Sequence, residues 1–114
     1  MPSPETRAGS RSDATWHAVS PVDVPGDGRV RSVTVDGRSI ALARCGQRLG
    51  ALENRCPHQG GPLGEGSIEK GLLRCPWHGF EFDLATGRSV LKPDALRVRV
   101  YRAVEESGEV VIYP

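Results

Sequence analysis

The sequence lacks both a charge bias and any long apolar run. Its 114 residues include 15 basic and 14 acidic side chains, for a net charge of +1, so electrostatic attraction gives no reason to expect nucleic acid or a membrane surface as a partner. No apolar run approaches the roughly 18 residues that span a bilayer. Met1–Thr15 also lacks the apolar centre of a signal peptide. We therefore expect a cytoplasmic protein.

Motifs for nucleotide binding and for nucleophilic catalysis are also missing from the sequence. The chain contains no Gly-x-Gly-x-x-Gly or Walker-type loop, so it carries no nucleotide site of its own. No nucleophile motif surrounds its serine, histidine and aspartate residues. We therefore expect that the chain by itself is not an enzyme.

Two short motifs contain the residues best suited to bind a metal. Cys56–His58 and Cys75–His78 each supply one thiolate and one imidazole, and the sixteen residues 59–74 separate them. Two sulfur and two nitrogen ligands could hold a single tetrahedral ion or a two-iron cluster. Zinc-finger histidines usually lie together on one helix, whereas Pro57 and Pro76 exclude a helix in both motifs. Two matching loops favour a dinuclear cluster, and a structural zinc site is the alternative.

The two motifs resemble those of Rieske proteins, in which Cys-x-His and Cys-x-x-His are separated by roughly fifteen to twenty residues. The resemblance runs from about Ala51 to Pro93 and implies one Rieske-type [2Fe–2S] cluster. Both thiolates would bind one iron and both imidazoles the other. The ligands that the resemblance implies are Cys56, His58, Cys75 and His78. It also places Pro93 in a loop that covers the cluster.

One cysteine and one histidine lie outside these motifs. With two of the three cysteines assigned to the cluster, Cys45 cannot form an internal disulfide, which fits a reducing compartment. At the end of a strand it is more simply a small buried hydrophobic residue. His17 could be a further metal ligand, but a strand residue at the domain edge is the favoured interpretation.

Hydrophobic alternation predicts an all-β fold, because no segment has the period of a useful helix. We predict an antiparallel β-sandwich, which the Rieske resemblance also implies. Residues 1–14 are expected to be a disordered tail and residues 15–114 a single domain, with a cluster-binding subdomain at about residues 55–83. Asp36-Gly37 predicts a two-residue hairpin turn, since both positions tolerate positive φ. The predicted strands are Thr15–Val19, Arg29–Val35, Arg38–Arg44, Leu49–Glu53, Ser67–Glu69, Leu72–Arg74, Gly79–Asp83, Leu96–Arg102 and Glu109–Tyr113.

Respiratory Rieske proteins belong to the same family that this chain resembles, but four positions distinguish the chain from them. Those proteins carry an additional cysteine in each loop, where Gly61 and Trp77 stand here. They also carry a serine and a tyrosine whose hydroxyls bond to sulfur, where Phe80 and Phe82 stand here. Hydrogen bonds to sulfur favour the reduced cluster, so we predict a reduction potential nearer about −150 mV than +300 mV.

The resemblance implies a Rieske-type ferredoxin. Such a protein passes single electrons from a flavin-dependent NAD(P)H reductase to a terminal oxygenase, here expected to hydroxylate aromatic rings, through transient contacts with both. Oxygen-activating iron needs two histidines and a carboxylate, and only His17 remains unassigned, so a terminal oxygenase subunit is not expected. Two alternatives are the Rieske-like small subunit of an NAD(P)H nitrite reductase and a non-redox interaction module braced by zinc. The presence of all four ligands favours the ferredoxin.

Overall fold

A computed structural model describes residues 16–57, 60–77, 79–91 and 96–113, and in these ranges it contains nine strands and two single turns of 3-10 helix. The predicted all-β fold is confirmed. No helix in these ranges is long and apolar enough to cross a membrane. The predicted tail and its boundary at residue 15 lie outside the described residues, so that division stays a prediction. The strands are β1 (His17–Val19), β2 (Arg29–Val35), β3 (Arg38–Cys45), β4 (Arg48–Glu53), β5 (Ser67–Glu69), β6 (Leu72–Arg74), β7 (Glu81–Asp83), β8 (Val100–Glu106) and β9 (Glu109–Tyr113), and the 3-10 turns are Pro21–Asp23 and Leu63–Glu65.

The strands form two antiparallel sheets. One has six strands in the order β1-β9-β8-β4-β3-β2, and the other has three in the order β5-β6-β7. The predicted hairpin turn at Asp36-Gly37 joins β2 to β3, with φ of 53° and 76°. Lys70-Gly71 and Ser107-Gly108 close two further hairpins with the same pair of positive φ angles. Positive φ at both central residues matches the twist of the flanking strands, so short sequence signals set these three hairpins.

Strand β3 is buried on both faces and separates two apolar clusters. Ile40 and Leu42 point into a cluster formed within the six-stranded sheet, whereas Ala41 and Ala43 point into a cluster that includes residues of the three-stranded sheet. Gly50 on β4 pairs with Ala43, and a β-carbon on Gly50 would lie 3.1 Å from the β-carbon of Leu84. Small residues therefore let Leu84, directly after β7, pack closely onto the six-stranded sheet.

The predicted strand at Leu96–Arg102 is only partly correct. Strand β8 begins at Val100 and continues to Glu106, so only Ser107 and Gly108 separate it from β9. Before β8, the Val98 N–H donates to the Gly87 carbonyl (2.8 Å), and residue 97 forms an isolated bridge with residue 88. Val98 is buried in the apolar cluster that includes residues of the three-stranded sheet. The alternation here reflects burial of every second side chain, which does not specify the pairing partner.

Strand β1 is at an edge of the six-stranded sheet, where it pairs with β9. The interpretation of His17 as a strand residue at the domain edge is confirmed, since it lies in β1 opposite Ile112. At the end of β3, Cys45 is partly buried and packs against the same apolar cluster as Ala43. Cys45 therefore packs as a small apolar residue, although it is only partly buried where burial was predicted.

Candidate metal centre

The two cysteines of the motifs are buried in one apolar cluster. Cys56 is 2% exposed and Cys75 is 3% exposed, and both pack with Leu63, Leu73 and Phe82. None of the three cysteines of the chain forms a disulfide. Because β4 leads into Cys56 and β6 leads into Cys75, the two sheets bring together sulfur atoms that are nineteen positions apart in the sequence.

The first cysteine loop, residues 56–61, is closed by two backbone hydrogen bonds. The Cys56 N–H donates to the Gly61 carbonyl (2.8 Å), and the Gly60 N–H donates to the Cys56 carbonyl (2.7 Å). Gly60 has φ of +80°, in the left-handed region that residues with a β-carbon rarely adopt. The glycine is therefore required for the loop to turn back on its own cysteine.

The second cysteine loop, residues 75–80, repeats this closure. The Cys75 N–H donates to the Phe80 carbonyl (2.8 Å), and the Gly79 N–H donates to the Cys75 carbonyl (3.1 Å). Gly79 also has positive φ, +73°. This turn explains why β7 begins at Glu81, two residues later than predicted. Each motif thus forms the same small loop around a buried cysteine.

The two cysteine loops touch each other at Gly61. A β-carbon on Gly61 would lie 3.1 Å from the Cys75 sulfur and 2.9 Å from Cδ2 of the Trp77 ring. Positions 61 and 77 are those at which the respiratory proteins carry their additional cysteines, and here a glycine lies against an indole. Trp77 packs the loops together, yet 56% of it remains exposed. It therefore also contributes apolar surface beside the site.

The predicted ligands His58 and His78 lie outside the described residues, as does Pro93. The residues that are described suit the sulfur side of an iron–sulfur cluster, which is held by cysteine thiolates. A thiolate buried among apolar side chains needs a partner of opposite charge, and two such sulfur atoms lie in the same cluster. The donor set fits the group, and the complete four-residue ligand set stays a prediction.

Asn54 is a structural residue of the site that sequence reasoning missed. Its side-chain amide donates to the hydroxyls of Ser32 (2.9 Å) and Ser39 (3.0 Å), and its carbonyl accepts from the Gly64 N–H (2.6 Å). These bonds tie β2 and β3 to the chain that follows the first cysteine loop. A β-carbon on Gly64 would collide with Ser32, so this glycine permits close packing on β2.

Phe82 and Phe80 occupy the positions at which respiratory proteins carry hydroxyl groups. Phe82 is completely buried in the apolar cluster that contains both cysteines, and Phe80 packs against the same cluster while its carbonyl closes the second loop. Neither side chain can donate a hydrogen bond to sulfur. The structure thus provides the environment on which the low predicted potential is based, and that potential stays a prediction.

Asp83 organises the turn that follows the three-stranded sheet. Its carboxylate accepts hydrogen bonds from the backbone N–H groups of Ala85 (2.8 Å) and Thr86 (2.9 Å). The Thr86 N–H does most to lower the pKa of Asp83, and the Ala85 N–H, the Thr86 hydroxyl and the nearby Arg48 charge add to it, against a partial rise caused by burial. The turn is therefore held best when Asp83 is ionised.

Comparison with known proteins places these features in one family. The Rieske [2Fe-2S] domain family matches residues 15–102. The ferredoxin component of the naphthalene 1,2-dioxygenase system from Pseudomonas aeruginosa is 32% identical over 95 residues, which cover 83% of this chain and 90% of that protein. Human apoptosis-inducing factor 3 is 36% identical over 78 residues, which are 68% of this chain and only 13% of that much longer protein.

Solved structures agree with this result. The ferredoxin of carbazole 1,9a-dioxygenase from Nocardioides aromaticivorans IC177 superposes with a TM-score of 0.79 at 29% identity, covering 89% of this chain and 99% of that chain. A ferredoxin in complex with the oxygenase of carbazole 1,9a-dioxygenase has a TM-score of 0.73 at 28% identity, covering 84% of this chain and 99% of that one. The chain belongs to the Rieske [2Fe–2S] domain family, and its cofactor is one Rieske-type iron–sulfur cluster.

Proposed function

We propose that this chain carries single electrons from a flavin-dependent NAD(P)H reductase to a terminal oxygenase that hydroxylates aromatic rings. One structural observation carries the proposal: two matching loops that touch at Gly61 place two buried cysteines in one apolar cluster. The comparisons support the role of carrier, because the chain spans nearly the whole length of ferredoxin components of dioxygenase systems. A carbazole dioxygenase ferredoxin has moreover been seen bound to its oxygenase.

The proposal includes the ligand set. Cys56 and Cys75 bind one iron, and His58 and His78 bind the other. When bound, the cluster supplies one-electron chemistry and no bond-making step. The chain contributes the matching backbone closure of the two loops and the apolar cluster that keeps water from the sulfur atoms.

Exposed apolar side chains beside the second cysteine loop suit a protein partner. Trp77 is 56% exposed, and Val90 and Leu91 are 51% and 75% exposed. Val90 is held near this loop because its N–H donates to the carbonyl of Glu81 (2.9 Å), and Glu81 pairs with Arg74 next to Cys75. A contiguous apolar patch at this place would suit a protein contact, and transient redox partners bury small interfaces.

A coupled assay tests the proposal. The purified protein is mixed with NADH, the flavin reductase and the oxygenase of a naphthalene dioxygenase system, and formation of the oxidised aromatic product is followed. We expect product only when all components are present, and a rate that rises with the concentration of this chain. A protein that is reduced by the reductase but never supports product would contradict the oxygenase as partner. Nitrite-dependent NADH oxidation with a nitrite reductase flavoprotein would favour the alternative role. A cytoplasmic location stays a prediction.

A further inference from the structure

The tripeptide Arg-Cys-Pro occurs in both motifs, as residues 55–57 and 74–76. Each arginine therefore precedes a buried cysteine. The cysteine loops explain the cysteines and glycines of the motifs, but they leave the repeated arginines without a role. Both arginines are exposed, so burial does not account for them either.

Each arginine folds back over the glycine that closes its own loop. A β-carbon on Gly60 would lie 3.4 Å from Nε of Arg55 and 3.8 Å from its Nη2. A β-carbon on Gly79 would lie 2.8 Å from Nη2 of Arg74 and 3.2 Å from its Nε. Both guanidinium groups thus lie on equivalent backbone, four residues after the cysteine. The glycines provide the space as well as the positive φ.

The charges around the two guanidinium groups differ. Arg74 lies 4.0 Å from the carboxylate of Glu81, with side-chain exposures of 51% and 31%. Arg55 lines an open cleft of about 460 Å³ together with Arg38, Glu53 and Tyr101. Arg55 and Arg74 therefore hold two cations at the backbone of the cysteine loops, with the Glu81 carboxylate beside Arg74, while Arg38 and Glu53 in the cleft carry opposite charges. A fixed positive charge near a redox centre favours the state that has gained an electron.

The geometry points to Arg55 and Arg74 as paired positioning residues that raise the reduction potential of the cluster, with Glu81 acting in the opposite direction. The inference rests on the ligand set proposed above. It explains why each cysteine loop combines a preceding arginine with a glycine that leaves room for its guanidinium. Absence of hydroxyl donors lowers the potential, and the two cations partly offset that effect.

The test is the midpoint potential of the holoprotein, measured by voltammetry for single charge substitutions. We expect Arg55→Gln and Arg74→Gln each to lower the equilibrium constant for reduction by about two- to tenfold, where tenfold corresponds to about 59 mV for one electron. Glu81→Gln should raise it. Arg55→Lys should stay near wild type, because it keeps the charge. All shifts should shrink at high ionic strength, since the side chains are exposed.

Arg29→Gln is the matched control. Arg29 begins β2 and pairs with Arg44, at the end of the strands that is away from the first cysteine loop. The substitution removes the same charge, and the midpoint potential of this variant should equal that of wild type. The inference would be overturned if the midpoint potentials of Arg55→Gln and Arg74→Gln both equalled that of the control within error. Equal midpoint potentials for Arg55→Lys and Arg55→Gln would also overturn it. If an arginine variant fails to retain iron, Glu81→Gln decides alone. A wild-type protein without iron or sulfide would instead reject the proposed function.

Discussion

The close contact between the two cysteine loops at Gly61 predicts that the substitution Gly61→Ala is destabilising. This glycine does not have the positive φ of the loop-closing glycines, so a methyl group adds no backbone strain and acts only through space. It would lie 2.9 Å from the Trp77 ring and 3.1 Å from the Cys75 sulfur, distances that neighbouring atoms must relieve by moving. The half-exposed indole can shift outward, whereas the sulfur is buried.

We expect Gly61→Ala to cost about 1–3 kcal/mol, the usual range for one additional methyl group in a packed site. Each kcal/mol corresponds to roughly 4–8 °C in melting temperature for a domain of this size. Because the displaced atoms include a proposed ligand, the variant should also lose its visible absorbance faster than wild type at elevated temperature. Unfolding of a cluster protein is not strictly two-state, so rates of cluster loss are compared alongside melting temperatures.

The matched control for this prediction is Gly26→Ala. A β-carbon on Gly26 meets no atom within 4 Å, and its φ is not positive, so the control should melt within about 2 °C of wild type. Adding Trp77→Ala to Gly61→Ala should cost less than the two single changes summed, since it removes one of the two clashes. A Gly61→Ala protein as stable as the control, with wild-type cluster retention, would refute the contact between the loops.

Three further predictions concern the hydrogen bonds of Asn54, the charge of Asp83 and the reduction potential. Asn54→Ala should cost about 1–3 kcal/mol in denaturant unfolding, because it leaves the Gly64 N–H without its acceptor; Ser39→Ala, which removes one of the three bonds, should cost clearly less, and equal costs would contradict this role. Asp83→Asn keeps an acceptor for the turn but removes the charge. Since the folded pKa of Asp83 lies below its ordinary value, wild type should be more stable than this variant above the unfolded pKa of about 3.9, and the advantage should disappear as pH falls through the folded pKa; a constant difference from pH 7 to pH 2 would rule the charge out. Wild-type protein should show a midpoint potential nearer about −150 mV than +300 mV. A value above zero would contradict the inference that the absence of hydroxyl donors lowers the reduction potential.

Local sequence signals predicted the parts of the fold that depend on few residues. Asp36-Gly37 set its hairpin because both residues accept positive φ. The Cys-Pro motifs marked the two loops that hold buried cysteines, and alternation located most strands within one or two residues. These features are specified by neighbours in the sequence, and they could therefore be inferred without knowing the tertiary structure.

Features that depend on distant residues could not be predicted in this way. The alternation at residues 96–99 did not reveal that Val98 would bond to Gly87 and precede the strand. Nothing in the sequence near Asn54 identified two serines on other strands as its partners. The placement of each arginine over its loop glycine likewise follows from the shape of the closed loop, which is a tertiary property.

The central claim is that this chain holds a two-iron cluster with mixed cysteine and histidine ligands. The most direct test is electron paramagnetic resonance of the dithionite-reduced protein, with iron and acid-labile sulfide assayed on the same sample. We expect about two irons and two sulfides per chain and a rhombic signal whose average g value lies below that of all-cysteine clusters. A colourless protein that contains one zinc ion and gives no such signal would contradict the claim, and with it the proposed electron transfer.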